Sequence, residues 1–557
     1  MVMGVAGEPT WIETAHGALA AAAHAPTDGR ATGCVVLVPA IGHEQLVARP
    51  SWVILARRLA EAGLAVVRFD LSGEGDSTPL LGNDPITTWL ADLDAAIDLA
   101  ARLVPGVPVQ GVGLRLGASL LAASDNPVLG SRLLWEPVSG ADFVREQVAR
   151  RACVMEPIAP GMLELVGLAF DPAARPSLEG LPAPAADDVR ALVEENREVA
   201  RRHYDVGTMD AVIPRASIER IVAAQPHAEA RAVVDVPPVL VAHSIVGGRR
   251  IREELVTVGP FGLTGVLSEP DGVCPDVSVG LWAGGCDPKS GAVALWTQLA
   301  RELAADGARC LRTDRRGVGE HVDPGRDTPS NPYSTTGIAD AVDACRWLQD
   351  RGDQPVVAIG HSAAAWTLAR AAALTDLAGV VLVNNRAWDA NQARYSYLDF
   401  PVVVQESELQ PAQQDGSPQV GVKQRVVRQV ERVWPGVRTS CVPAECKALV
   451  TQGVPAPVWD ELARRGRVMD VRPLLTDIPV GTGVTVVADR LDAAVWRQSR
   501  GPRAIGQMGQ QVTYDSIGGT DHVLHSAAKR RVVVDLLVGH VRTIRERQAA
   551  QHEGSTT

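Results

Sequence analysis

The strongest constraint on this chain is that its local sequence grammar occurs twice, in the same order. Near Gly33, GCVVLVPA reads as a short apolar strand. A helix follows (SWVILARRLAEAG), then the strand LAVVRFD, which ends at Asp70, and the turn LSGEGDS. A long helix (ITTWLADLDAAIDLAARL), the strand VQGVGL, a sharp turn into LGASLLAA and the strand SRLLWEPV complete the run. From about Val277 the succession returns as VSVGLWAGG, ALWTQLARELAADG, ARCLRTD ending at Asp314, RRGVGE, GIADAVDACRWLQDRG, PVVAIGHS, AAAWTLARAAAL and GVVLVNN.

Short runs rich in Val, Ile and Leu that alternate with helices specify a mostly parallel sheet, buried on both faces. Two such units in tandem account for 557 residues, which are too many for one core. The expected fold is therefore α/β, with two tandem domains, each a mostly parallel sheet flanked by helices. The boundary is expected between 246 and 247, because IREELVTVGPFGLTGVLSEPDG looks like the opening antiparallel hairpin of a second unit. Each unit carries an insertion after its sixth strand; in the second, about 389–476, it lacks strand grammar and is expected to form a lid.

Composition narrows the classes. A hydrophobic share of 46% with 21% charged residues is ordinary for a globular protein. A net charge of −11 argues against a nucleic-acid partner, which needs a basic face. No run approaches the ~18 apolar residues of a membrane span, and MVMGVAGEPTWIETAHG shows no basic segment followed by an apolar stretch, so no secretory signal is read. The eight cysteines are scattered without zinc spacing. A reduced, cytoplasmic location without metal is expected.

The chemistry concentrates in the second unit. In PVVAIGHSAAAW a strand runs straight into a helix through Gly360-His361-Ser362-Ala363-Ala364. A serine on such a strained turn stands clear of the sheet, with small neighbours that let strand and helix approach, and the helix N-terminus beneath a developing oxyanion. The hydroxyl needs a base, and the base an acid to hold its tautomer; on this arrangement they follow in the order Ser, acid, His. Asp492 lies four residues past the strand GVTVVA, and His522 lies on the glycine-rich loop GGTDHVL. Asp489 is the rival acid, but its expected role is in the turn itself. His525 reads as structural, and His361 as an elbow neighbour pointing elsewhere. One oxyanion amide is expected from Ala363 and the other from Gly285 or Cys286, in AGGCDPKSG. Cys286 as a nucleophile has no base placed for it.

These stretches, AGGCDPKSGAVALW, TDRRGVGE, IGHSAAA and GGTDH, resemble the α/β-hydrolase superfamily, and within it the serine-aminopeptidase-like hydrolases, including those associated with exosortase systems. The resemblance covers about 300 residues. It implies hydrolysis or transfer at an ester, thioester or amide of a small-molecule acyl substrate, without a cofactor. Ala364 replaces the usual second glycine, and no His-Gly pair follows the first strand.

The first unit keeps the elbow without its nucleophile. Gly113-Leu114-Arg115-Leu116-Gly117 has both glycines but places Arg115 where the serine belongs, and a guanidinium cannot attack a carbonyl. Its spacing, G-x-G-x-x-x-G, is not that of a dinucleotide loop. VPAIGHE, DLSGEGDS and GLRLGA look like a second branch of exosortase-associated hydrolases. Ser77 and Ser119 lie off the elbow, and the late histidines, His227 and His243, read as surface or linker residues. Three roles stay open for this unit: a packing partner resembling the other half of a homodimer, an anion site built on Arg115, or a lid over the second unit. The leading function is a serine hydrolase of esters or thioesters. An acyltransferase or cyclising enzyme on the same residues is the alternative, and a non-catalytic binding protein a second one. A carrier-protein or homo-oligomeric partner stays open.

Overall fold

The computed structural model of the chain describes residues 7–152, 161–185, 190–235, 238–393, 395, 454–465, 467–508 and 511–555. The first domain is built on seven strands: β1 (Glu8–Thr14), β2 (Gly17–His24), β3 (Cys34–Val38), β4 (Ala65–Phe69), β5 (Val109–Leu114), β6 (Leu129–Trp135) and β7 (Ala191–Leu192). Their spatial order is β1-β2-β4-β3-β5-β6-β7. The β1–β2 and β2–β4 pairs are antiparallel, and the pairs from β4 to β7 are parallel.

The second sheet repeats this plan with nine strands. They are β8 (Val241–Val246), β9 (Arg249–Val258), β10 (Leu263–Pro270), β11 (Val277–Trp282), β12 (Ala308–Thr313), β13 (Val356–His361), β14 (Gly379–Val383), β15 (Gly483–Ala488) and β16 (Val512–Ser516). The order is β8-β9-β10-β12-β11-β13-β14-β15-β16, antiparallel as far as β12 and parallel beyond. β8 lies on the first-unit side of the boundary expected at 246, yet it is hydrogen-bonded along β9 in the second sheet.

The parallel strands are apolar throughout because helices cover both faces; every residue of β3, β11, β13 and β14 is buried. In both domains the chain reverses its order of strands between the first and third parallel strands. The two central pairs end in the same register, Val38 opposite Gly113 and Trp282 opposite Gly360. Loops leaving adjacent strands there diverge to opposite faces and open a crevice at the carboxyl edge of the sheet.

The insertion expected to form a lid over 389–476 falls largely outside the described residues. At its described end Val471, Leu474 and Leu475, on the helix Val471–Thr476, are fully buried in the core of the second domain.

The two domains share one interface. Trp11 and Ala18 of the first pack with Ala242, Leu255 and Val266 of the second. Beside them lies a buried set of charges. Arg312, wholly buried, pairs with Asp76 at 2.5 Å and Glu253 at 3.1 Å. Lys289 lies 3.3 Å from Asp76 and 3.6 Å from Asp314. Burial alone would raise the Asp76 carboxyl, but Lys289, Arg312 and Arg49 hold it well below the usual carboxylate range.

Candidate active site

The turn between β13 and the helix Ala363–Ala372 places Ser362 at φ 53°, ψ −120°. This is a left-handed conformation that costs a non-glycine residue of order 1 kcal/mol or more, held here by the strand and helix around it. Gly360 is required by close approach, since a Cβ there would lie 2.8 Å from the Ala364 carbonyl oxygen. The Ser362 N–H donates to the Val383 carbonyl at 2.8 Å, fixing the turn to the neighbouring strand.

Three segments remote in sequence converge on the hydroxyl. Ser362 Oγ lies 2.9 Å from His522 Nε2, and His522 Nδ1 lies 2.7 Å from Asp492 Oδ2. Asp492 sits in the first turn of the helix Arg490–Gln498, wholly buried. Burial would raise its carboxyl, but the hydrogen bond from His522 and the neighbouring Arg386 together hold it below the ordinary value. Asp489, the rival acid, is the N-cap of that helix, and its Oδ1 accepts the Asp492 N–H at 2.6 Å. Asp489 therefore does turn work and does not reach the histidine through any hydrogen bond; burial lifts its carboxyl to about 6.

Some of the scaffold escaped the sequence reading. Arg386 Nε donates to Asp492 Oδ1, so the acid accepts from both His522 and Arg386. Asn384, buried at φ 49° just beyond β14, donates to the His522 carbonyl at 3.0 Å and accepts the Asp489 N–H at 2.8 Å. One amide thus ties the acid loop to the histidine loop. An Asn-Asn-Arg run ending a buried strand is the only signal for it, and that is weak without the tertiary fold. His361 also takes part: its Nε2 donates to the His522 carbonyl at 2.6 Å, and burial pushes its own pKa down to about 3, so it is neutral. His525 does not join the chain; its ring stacks edge-on against His43 of the first domain at 5.6 Å.

The loop after β11 lies against the serine. A Cβ on Gly284 would meet the Ser362 Cβ at 2.9 Å, and Gly285 follows at φ 54°. Ala363 opens its helix, so its N–H belongs to the first turn, whose amides have no intrahelical acceptor. Arg315 anchors this loop by donating to the Gly285 carbonyl at 3.1 Å. Cys286 is buried, its thiol pushed up to about 11, so it holds no thiolate at neutral pH. The first domain reaches over the same loop. Thr208 Oγ1 lies 2.8 Å from Asp287 Oδ1, and the Met209 side chain would be 3.4 Å from a Cβ on Gly285. Burial lifts the Asp287 carboxyl to about 6.

Arg115 repeats the backbone of Ser362, at φ 56°, ψ −122°. Its side chain fills its own elbow. Nε lies 3.1 Å from Glu44, Nη2 pairs with Glu146, and the guanidinium sits 4.5 Å over the Tyr204 ring. Two carboxylates already answer its charge, so it does not present an open anion site.

The model for the alpha/beta hydrolase fold matches residues 283–412. Over that stretch the chain has the α/β-hydrolase fold. Both sheets follow the plan described above, and solved structures each match about half of the chain. A carboxyl esterase from Bacillus coagulans is 13% identical, covering 53% of this chain and 99% of its own, with a TM-score of 0.33. Dienelactone hydrolase from Anabaena variabilis is 14% identical over 52% and 96%, TM-score 0.31. An alpha-beta serine hydrolase homologue from Coxiella burnetii is 14% identical over 52% and 96%, TM-score 0.30. No curated protein matches the sequence. No described helix is long and apolar enough to cross a membrane.

Proposed function

We propose that this α/β hydrolase is a serine hydrolase that cleaves an ester or thioester of a small-molecule acyl substrate through an acyl-enzyme. The observation that carries the reading is the continuous hydrogen-bonded chain from Ser362 through His522 to Asp492. His522 Nε2 takes the Ser362 proton as Oγ attacks the acyl carbon, and returns it to the departing alcohol or thiol. Asp492 keeps the Nδ1 proton in place and stabilises the imidazolium, while His361 and Asn384 hold the His522 backbone. The oxyanion is received by the Ala363 N–H and an N–H of the Gly285–Cys286 turn. Water, activated by the same histidine, releases the acid.

The test is labelling by a fluorophosphonate probe together with turnover of an activated ester. The wild-type protein is expected to label at Ser362 and to hydrolyse the ester. Ser362→Ala should lose the label and roughly 10⁴- to 10⁶-fold in rate. Retained labelling or wild-type turnover in a folded Ser362→Ala protein overturns the assignment.

The cover that Thr208 and Met209 place over the Gly285 loop favours one second reading, acyl transfer to a bound alcohol or amine, since shielding from water decides which acceptor meets the acyl-enzyme. Product analysis with a competing alcohol separates the two: transfer gives the new ester, hydrolysis only the acid.

A further inference from the structure

An open cavity of about 530 Å³ lies where the loop after β12 meets the first domain. Arg57, Arg315, Arg316 and Arg326 line it, against one acidic side chain, Asp323. Only Arg316 is ion-paired, to Asp340. Arg57, Arg315 and Arg326 form no ion pair among the described residues. Arg57 donates to the carbonyls of Val322 at 2.9 Å and Glu320 at 2.6 Å, while its Nε finds no acceptor. Arg315 donates to the carbonyls of Gly285 at 3.1 Å, Arg316 at 3.1 Å and Ser330 at 3.2 Å, to Ser330 Oγ at 2.9 Å and to Cys286 Sγ at 3.7 Å. The Arg326 Nε is buried and also finds no acceptor. Carbonyl dipoles orient a guanidinium without forming an ion pair with it, and arginine does not discharge by losing its proton.

The other side of the domain interface supplies a control. Arg301 occupies the place in the second unit that Arg57 occupies in the first, in LARE against LARR. It donates to the carbonyl of Asp76 at 2.9 Å, the counterpart of the Glu320 carbonyl held by Arg57, and to that of Ser77 at 3.0 Å, and its Nε goes to the carboxylate of Glu253 at 2.8 Å. Arg57 likewise donates to two carbonyls, that of Glu320 at the equivalent position and that of Val322, and has no carboxylate on its Nε. The Glu320 carboxylate beside it is shared by Arg49 and Arg68.

Building on the serine-hydrolase reading, we propose that the substrate brings the missing anion: the cavity receives a phosphate or carboxylate carried by the acyl substrate. Arg315 links this cavity to the chemistry, because it also holds the Gly285 carbonyl and borders the small cavity formed by Gly285, Asp287 and Ala364. A charged acceptor in the cavity makes a shorter and stronger hydrogen bond to a guanidinium than a carbonyl does, so the anion competes with the carbonyl partners for these donors. Phe261, packed over Arg316 at 5.0 Å and against His321 at 5.6 Å, gives the cavity an apolar wall. Arg57 makes the first domain part of the substrate site, although its own elbow is plugged.

The test uses the full chain carrying Ser362→Ala, titrated calorimetrically with inorganic phosphate and, separately, with succinate at low salt. Saturable one-site binding of one of them is expected, and which one binds tells a phosphorylated substrate from a carboxylated one. Arg57→Gln and Arg326→Gln, each with an unchanged melting curve, should weaken that binding at least tenfold, whereas the exposed Arg58→Gln on the same helix should not. In the protein with Ser362 intact, the kcat/KM preference for an acetyl thioester of phosphopantetheine over that of pantetheine, or for a hemisuccinate ester over an acetate ester, should fall tenfold in Arg57→Gln. Absence of saturable binding of both anions overturns the proposal, as does binding indifferent to Arg57 and Arg326. Either result leaves fluorophosphonate labelling of Ser362, and the reading built on it, untouched.

Discussion

Arg68 of the first domain is ion-paired with Glu320 of the second, and Arg312 of the second answers it by pairing with Asp76 of the first. Arg68 and Arg312 stand two residues before the strand-ending Asp70 and Asp314; Asp76 and Glu320 stand six residues after them. The contacts of Arg57 to the Glu320 carbonyl and of Arg301 to the Asp76 carbonyl are reciprocal in the same way. Reciprocal contacts between equivalent positions are the mark of an isologous, two-fold interface. Here the two halves lie on one chain, so each has been free to change its sequence.

The interface should be costly to break at one residue. Arg312→Met leaves Asp76 and Glu253 buried without a full complement of positive charge, at a cost of about 3–5 kcal/mol, the usual range for breaking a buried pair. Chemical denaturation of the full chain measures it. A loss below about 1 kcal/mol would show that the pair is solvated in solution.

Asp492 and Asp489 are separable by their amides. Asp492→Asn removes the charge that holds His522, and is expected to lower kcat by roughly 10⁴-fold, as loss of a triad acid does elsewhere. Asp489→Asn keeps a side-chain oxygen for the Asp492 N–H, and asparagine caps helices as well as aspartate does, so activity should stay within a few-fold. Steady-state kinetics on both variants reverses the assignment if Asp489→Asn is the more damaged.

Arg115→Ala tests whether the first elbow is structural. It strands Glu44, which is fully buried, so about 3–5 kcal/mol of stability should be lost, while a minimal activated ester should turn over within a few-fold of wild type. Thermal melts and ester kinetics together decide the point. A large change in KM without a change in stability would restore a binding role to Arg115.

A pH dependence follows from Glu74, whose carboxyl is buried against the Gly42 N–H at 2.9 Å and is lifted by burial to about 8. Its folded pKa lies above its unfolded one, so between about 4.5 and 8 the folded state keeps a proton that the unfolded chain releases, and stability falls as pH rises through that window. Glu74→Gln is neutral throughout and removes this fall. Its Tm should match wild type near pH 4.5 and exceed it at pH 9 by at least about 2–4 °C, the shift that about 1 kcal/mol produces in a domain of this size. Parallel Tm curves from pH 5 to 9 would refute the assignment.

Much of the architecture was legible before any coordinates. Period and burial write the parallel strands directly, because a strand covered on both faces must be apolar at every position, as Cys34–Val38 and Val356–His361 are. Ser362, Asp492 and His522 were legible because the elbow is local and the order of the other two along the chain is set by topology. Asp489 fell to the turn because an Asp three residues ahead of a first-turn N–H is a cap. β8 pairs along β9 in the second sheet, which its sequence does not reveal, because a half-exposed edge strand carries no signal of which sheet it joins.

What sequence alone determined is thus whatever depends on neighbours along the chain: the strand-to-helix turns, the caps, the repeated order of elements and the missing serine at Arg115. Tertiary structure decided what depends on neighbours through space. Asn384 spans two loops, Thr208 and Met209 cover the Gly285–Asp287 loop of the other domain, Arg115 is neutralised by Glu44 and Glu146, and Arg57 is left without the carboxylate that Arg301 has. Hydrogen bonds and ion pairs act over about 3–4 Å whatever the separation along the chain, so a charge's partner, or its lack of one, is set only when the two sheets meet.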